Sequence, residues 1–148
     1  MKSPLIFNMT VHELRIKSNR FVENIDSYIE SVIDDNQELL DLNREQLKDE
    51  HKTTKDQPIR PKYSKGYAAL KGFDTPDIYL TGELQKTMII EATKDRQFYV
   101  RPTVEYGFKI IEQYGEEIFG IAKSKLTRAK QITTALLSKI YKQSVFNG

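Results

Sequence analysis

One apolar stripe near the start of the chain constrains the fold most. Val11, Leu14, Phe21, Ile25, Tyr28 and Val32, with small Ser18 in register, recur at alternating steps of three and four residues. That spacing puts them on one face of an α-helix, while Arg15, Lys17, Arg20, Glu23, Asp26 and Glu30 occupy the other. At ~1.5 Å of rise per residue the stripe is about 32 Å long. Its start is marked by "TVHE", in which Thr10 can cap the helix while Glu13 reaches back to the cap's own amide. The expectation is one long helix with one face buried and one wet.

The segments that follow are shorter. "NQELLDLNREQLK" carries Leu39, Leu40, Leu42 and Leu47 after the Asp34-Asp35 break, and reads as a second helix or a bent continuation of the first. Residues 48–65 are dominated by charge and contain Pro58 and Pro61, which forbid regular ladder pairing, so a long exposed arm or loop is expected there. "YSKGYAALKGF" suits one or two helical turns, and "DTPD" a proline turn. Met88 to Thr93 and Gln97 to Thr103, separated by polar "KDR", suit two antiparallel strands, with Pro102 at a strand end.

From Glu105 a short helix is expected, with Phe108 and Ile111 inward, Ile110 as a further candidate, and an end near Gly115. The last element runs from a Ser124 cap with Leu126, Ala129, Ile132 or Thr133, Leu136 and Ile140 on one face. Long helices at both ends around a small antiparallel sheet give an α+β fold in a single domain over residues 1–148, the default for a chain of this length.

Composition narrows the chemistry. Charged residues reach 30% and apolar ones only 39%, wetter than an average globular chain, so part of the molecule is expected to be extended, exposed or covered by a partner. Lys plus Arg number 23 against 21 for Asp plus Glu, which leaves no large excess for phosphate backbones. The absence of cysteine excludes disulfides, thiolate nucleophiles and thiolate metal sites, and agrees with a reducing compartment. The apolar run in "MKSPLIF" is too short for a signal-peptide core, and no run approaches the ~20 residues needed to span a bilayer. A soluble chain made inside the cell is expected.

"YLTGELQKTM" mimics a phosphate-binding loop, but Gly82 and Lys86 are not adjacent and no upstream glycine has the required spacing. The stretch reads instead as a structural turn: Thr81 caps one helical turn, Gly82 allows close backbone approach or an unusual dihedral, Leu84 packs down and Lys86 is solvated. His12 and His51 are the only histidines and are remote in sequence, which argues against zinc. The acidic pairs Asp34-Asp35 and Glu116-Glu117 read as solvated helix ends, and no Ser, His and acid set converges, so neither an enzyme nor a cofactor is expected. Tyr63, Tyr67, Tyr79, Tyr99, Tyr106 and Tyr114 interleave with lysines. That pattern suits base stacking or a protein interface, and the near-neutral charge favours the interface.

The order of parts from Tyr79 onward resembles the tail-completion and head-tail joining proteins of tailed bacteriophages and prophages. "LTGELQKTM", a hairpin, "VEYGFKIIEQYGEEIFGI" and "LTRAKQITTALLSKI" carry the likeness: Thr81, Gly82 and Leu84 match the turn, Thr87 the hydroxyl residue after it, and Tyr106-Gly107 and Tyr114-Gly115 the second signature. "NREQL" followed by "PKYSKGYAALKG" also looks like related phage structural proteins. Lys86 stands where the family usually has arginine, and Ala122 to Ser124 where it has a proline before the last helix.

The resemblance implies a virion protein of the neck, made in the host cytoplasm. It would form a cyclic homo-oligomeric ring between the portal or its adaptor and the tail tube or its terminator, with no catalysis, cofactor or membrane, and with DNA passing through the lumen without sequence-specific contact. The candidate interface residues are Pro58, Arg60, Pro61, Tyr63, Tyr67, Tyr106, Tyr114 and Phe119. The alternative is a small nucleic-acid-binding module using Lys123, Lys125, Arg128, Lys130, Lys139 and Lys142.

Overall fold

The computed structural model describes residues 9–79 and 81–146. The signal-peptide reading of the first residues lies outside them. The chain forms α1 (Val11–Glu23), α2 (Ile25–Ile33), α3 (Gln37–Lys48), α4 (Lys65–Lys71), α5 (Glu83–Thr87), β1 (Ile89–Ala92), β2 (Phe98–Arg101), α6 (Gly107–Tyr114) and α7 (Leu126–Phe146). Short 3₁₀ turns occur at Lys94–Arg96, Glu116–Ile118 and Lys123–Lys125. The fold is α+β, as expected.

The capping box is present: Glu13 N donates to Thr10 Oγ1 at 3.1 Å and Thr10 N to Glu13 Oε2 at 3.1 Å. The expected single helix is divided at Asn24, whose side chain donates to Arg20 O at 2.8 Å and competes for the helical ladder. The stripe is also covered less than its pattern predicts. α1 contributes no buried residue, Val11 of the stripe is 84% exposed, and Val22, which the stripe did not include, is 65% exposed. The reason is geometric: among the described residues α1 packs mainly on α7, apart from its junction with α2, whereas α2 lies against both α7 and β1. Where α1 does meet α7, Phe21 sits edge-on to Tyr141 at 5.1 Å, and the Ser18 and Tyr141 hydroxyls are 3.0 Å apart.

α3 is a separate helix. Asn36 caps it by accepting from Leu39 N at 3.0 Å, and Asp35 turns the chain in the left-handed region at φ 54°. The Asp34-Asp35 corner does more than end a helix: Asp34 Oδ1 accepts from Ala92 N at 2.7 Å and Asp35 N donates to Ile90 O at 3.2 Å, which occupies the outer edge of β1. The other edge pairs with β2 in the register Ile90 to Val100 and Glu91 to Tyr99. Ile90 and Val100 therefore face the core while Glu91, Tyr99 and Arg101 point outward, with Arg101 Nη2 on Glu91 Oε1 at 3.0 Å.

The core sits between α2, α3, the hairpin and the middle of α7. Leu39, Leu40, Leu47 and Ile90 are at most 1% exposed, and each such side chain contributes about 1.5–3 kcal/mol by burial. Ala129 and Ile132 of α7 close it, with Leu136 and Ile140 packed alongside. In α6 Ile110 and Tyr114 pack against the core, while Ile111 is half-buried and outside it. Phe108 is 58% exposed, contrary to the expectation.

The expected arm at 48–65 is a loop folded onto the body. Ile59 has no exposed surface, Thr54 N donates to Glu117 O at 2.8 Å, and Asp56 accepts from Ser124 N at 3.0 Å and Ser124 Oγ at 2.6 Å. Ser124 is thereby used as a long-range tie, not as the cap of α7, which begins at Leu126. Gln46 of α3 holds both sides of this region, since its Nε2 donates to Lys52 O at 3.2 Å and its Oε1 accepts from Ala122 N at 2.8 Å. Asn43 beside it donates to Ile118 O at 3.0 Å.

Candidate functional site

The "LTGEL" turn is built largely as its residues dictate. Gly82 occupies the left-handed region at φ 82°, which admits glycine freely, and is itself the N-cap position of α5. Thr81 stands one residue outside it, its Oγ1 3.4 Å from Glu83 N, so the expected threonine cap is displaced. Leu84 is buried and Lys86 exposed. A Cβ on Gly82 would lie 2.9 Å from the Tyr79 hydroxyl, so the glycine also lets that ring approach the backbone.

Beneath the turn lies a buried ion pair that sequence reading passed over. Lys71 Nζ is 3.0 Å from both carboxylate oxygens of Asp77, whose side chain is 7% exposed. Tyr63 Oη donates to Asp77 Oδ1 at 2.7 Å, Tyr79 N donates to the same oxygen at 3.2 Å, and Lys71 also donates to Tyr79 O. Burial pushes the Asp77 carboxyl up, but the hydrogen bonds from Tyr63, Lys71 and the Tyr79 amide outweigh it and hold the group below the usual carboxylate value. Burial, and then the Asp77 carboxylate, push the Tyr63 phenol up. The only sequence signal was the "DTPD" turn, which does not reveal that its second aspartate is buried.

This network fixes one wall of a cavity of about 420 Å³. Tyr63, Tyr67, Tyr79, Tyr106 and Tyr114 line it, Tyr63 and Tyr67 meeting edge-on at 4.7 Å. Thr81, Gly82 and Leu84 complete the wall with Ile78 and Ile110, and Glu83 is the one charged lining residue among the described residues. Burial and then the Glu83 carboxylate push the Tyr106 phenol above its ordinary pKa. Gln85 also lines the cavity: its Nε2 donates to Ile78 O at 2.8 Å, and its Oε1 has no hydrogen-bond partner among the described residues.

The fold thus gathers the turn and the four candidate tyrosines Tyr63, Tyr67, Tyr106 and Tyr114 into one place. The other candidates lie apart from it. Pro58, Arg60 and Pro61 are exposed on the folded loop, and Phe119 packs against the core instead of presenting a free surface. Tyr79 stood among the interleaved tyrosines but not among the candidate interface residues, and Glu83 and Gln85 were missed, because their convergence depends on how α4, α5 and α6 meet.

A neighbouring hollow of about 490 Å³ shares Tyr79, Gly82 and Gln85 and is edged by Arg44, Lys48 and Lys86 together with Glu45 and Asp49. Arg44 is engaged by Gln85 O at 2.7 Å and Asp41 at 2.8 Å, and Lys48 lies over the Tyr79 ring at 4.5 Å. In the basic stripe near α7, Lys125 is taken up by Glu50 at 2.6 Å and Glu45 at 3.1 Å, while Lys123, Arg128, Lys130, Lys139 and Lys142 are exposed. Among the described residues no group of three or more histidine or acidic side chains is placed to hold a metal ion, and no helix is long and apolar enough to cross a membrane. Comparison with protein-family models, with curated proteins and with solved structures finds no match to the chain.

Proposed function

We propose that this chain is a structural assembly subunit, a virion protein that forms a ring at the head-tail junction of a tailed phage or prophage and joins the portal or its adaptor to the tail tube. The observation that supports the assembly part is the partial cover of α1, which leaves Val11 and Val22 at 84% and 65% exposure, apolar side chains that a neighbouring subunit can cover. The likeness of the "LTGELQKTM" and "VEYG" signatures to neck proteins supplies the rest of the reading.

In a ring each contact is heterologous, so one surface meets a different surface of the next copy. On this reading α1 is one such surface and the tyrosine-lined face another. Size-exclusion chromatography with light scattering, on the chain alone and mixed with portal and tail-tube preparations, tests it. A ring or a defined complex is expected, and Val22→Glu is expected to weaken it. A monomer that joins neither preparation overturns the proposal, and a DNA complex that dissociates steeply with salt favours the nucleic-acid alternative.

A further inference from the structure

We propose that the five-tyrosine cavity is a socket for an arginine side chain presented by a partner protein. Three properties of the cavity select that occupant. Its wall is rich in tyrosine rings, whose negative quadrupole attracts a cation, and a planar guanidinium stacks on such rings better than an ammonium does. Among the described residues its single charged lining group is the Glu83 carboxylate; Lys48 already lies over the Tyr79 ring at 4.5 Å, so an incoming cation meets the other four tyrosines and Glu83. Gln85 adds a buried acceptor, Oε1, that has no partner among the described residues, and the tyrosine hydroxyls can accept the remaining guanidinium protons.

The surroundings point to a protein as the bearer of that arginine. α4, which supplies Tyr67, also carries Leu70 one turn on at 85% exposure. An aromatic socket beside an exposed apolar side chain has the make-up of an interface hot spot, where arginine is among the enriched residues. The Lys71–Asp77–Tyr63 network keeps the wall in place with side chains that are themselves paired, so arginine binding need not displace them. The inference rests on the cavity alone, so it stands or falls separately from the ring.

The test titrates the full-length chain with capped Gly-Arg-Gly, Gly-Lys-Gly and Gly-citrulline-Gly peptides. Intrinsic fluorescence is the readout, since the chain has eight tyrosines and no tryptophan. The arginine peptide is expected to give a saturable change, with the uncharged citrulline peptide bound about tenfold or more weakly and the lysine peptide in between. Glu83→Gln, at an exposed position, is expected to weaken the arginine peptide about fivefold and to leave the citrulline peptide unchanged, with circular dichroism confirming an intact fold. Release of self-association by the arginine peptide would support the proposal and identify the partner as a second copy. Equal binding of arginine and citrulline peptides, no saturable change, or no effect of Glu83→Gln overturns it.

Discussion

Tyr63 donates its phenolic proton to Asp77 at 2.7 Å, and the same oxygen accepts from the Tyr79 amide, so one carboxylate ties the start of α4 to the turn before α5. With Lys71 on both its oxygens, Asp77 is a buried charge whose partners are all in place. Removing it strands the Lys71 ammonium, whose side chain is 19% exposed. Asp77→Ala is expected to cost about 3 kcal/mol in urea unfolding.

The same pair sets a pH window. The folded-state pKa of Asp77 is lowered, so its contribution is present above the unfolded value, ~3.9, and is lost as pH falls through the folded value. Tyr63 is raised, so its contribution is present below the unfolded value, ~10, and is lost as pH rises beyond it. Urea midpoints across pH should fall at both ends. Asp77→Asn should flatten the acid limb, and an unchanged acid limb would refute the assignment.

Gly82 combines a left-handed backbone with close approach of Tyr79. Gly82→Ala is expected to cost about 1–2 kcal/mol from the backbone alone, and Gly82→Val more. Tyr79→Leu in the same chain should recover only the steric part, which a double-mutant cycle in urea measures.

Gly107 opens α6 where a Cβ would lie 2.6 Å from Pro102 Cγ and 2.8 Å from its Cβ. Replacing a helical glycine by alanine ordinarily stabilises by about 0.5–1 kcal/mol. Here Gly107→Ala is expected to destabilise by about 1–3 kcal/mol from overpacking, and Pro102→Ala, which removes Cγ but keeps Cβ, should relieve it in part. Thermal unfolding of the three variants distinguishes the two signs.

Gln46 holds Lys52 and Ala122 from a fully buried position. Gln46→Leu keeps the volume but orphans both backbone groups, at about 1–3 kcal/mol each. Hydrogen exchange at the Ala122 amide should rise more than exchange in β1. Equal protection in both places would show that the loop and the 3₁₀ turns do not depend on this side chain.

Local features were legible in the amino-acid sequence. The Thr10–Glu13 box, the hairpin of β1 and β2, the amphipathic α7 and the left-handed Gly82 each follow from residues within a few positions of one another. Periodicity also named an apolar face for α1. What it could not contain is whether another element arrives to cover that face, and α7 covers it only in part.

The loop at 48–65 makes the same point in reverse. Its prolines and charges signalled the absence of helix and strand, yet Thr54 on Glu117 and Asp56 on Ser124 bind it to the body across more than sixty residues. The cavity is assembled likewise, from Tyr63 to Tyr114. Sequence by itself determined the elements, because dihedral preference, capping and periodicity act between near neighbours. Only the tertiary structure decided which faces stay bare, that Asp77 is buried with its partners and that five tyrosines share one cavity, because burial and pairing depend on where distant segments come to rest.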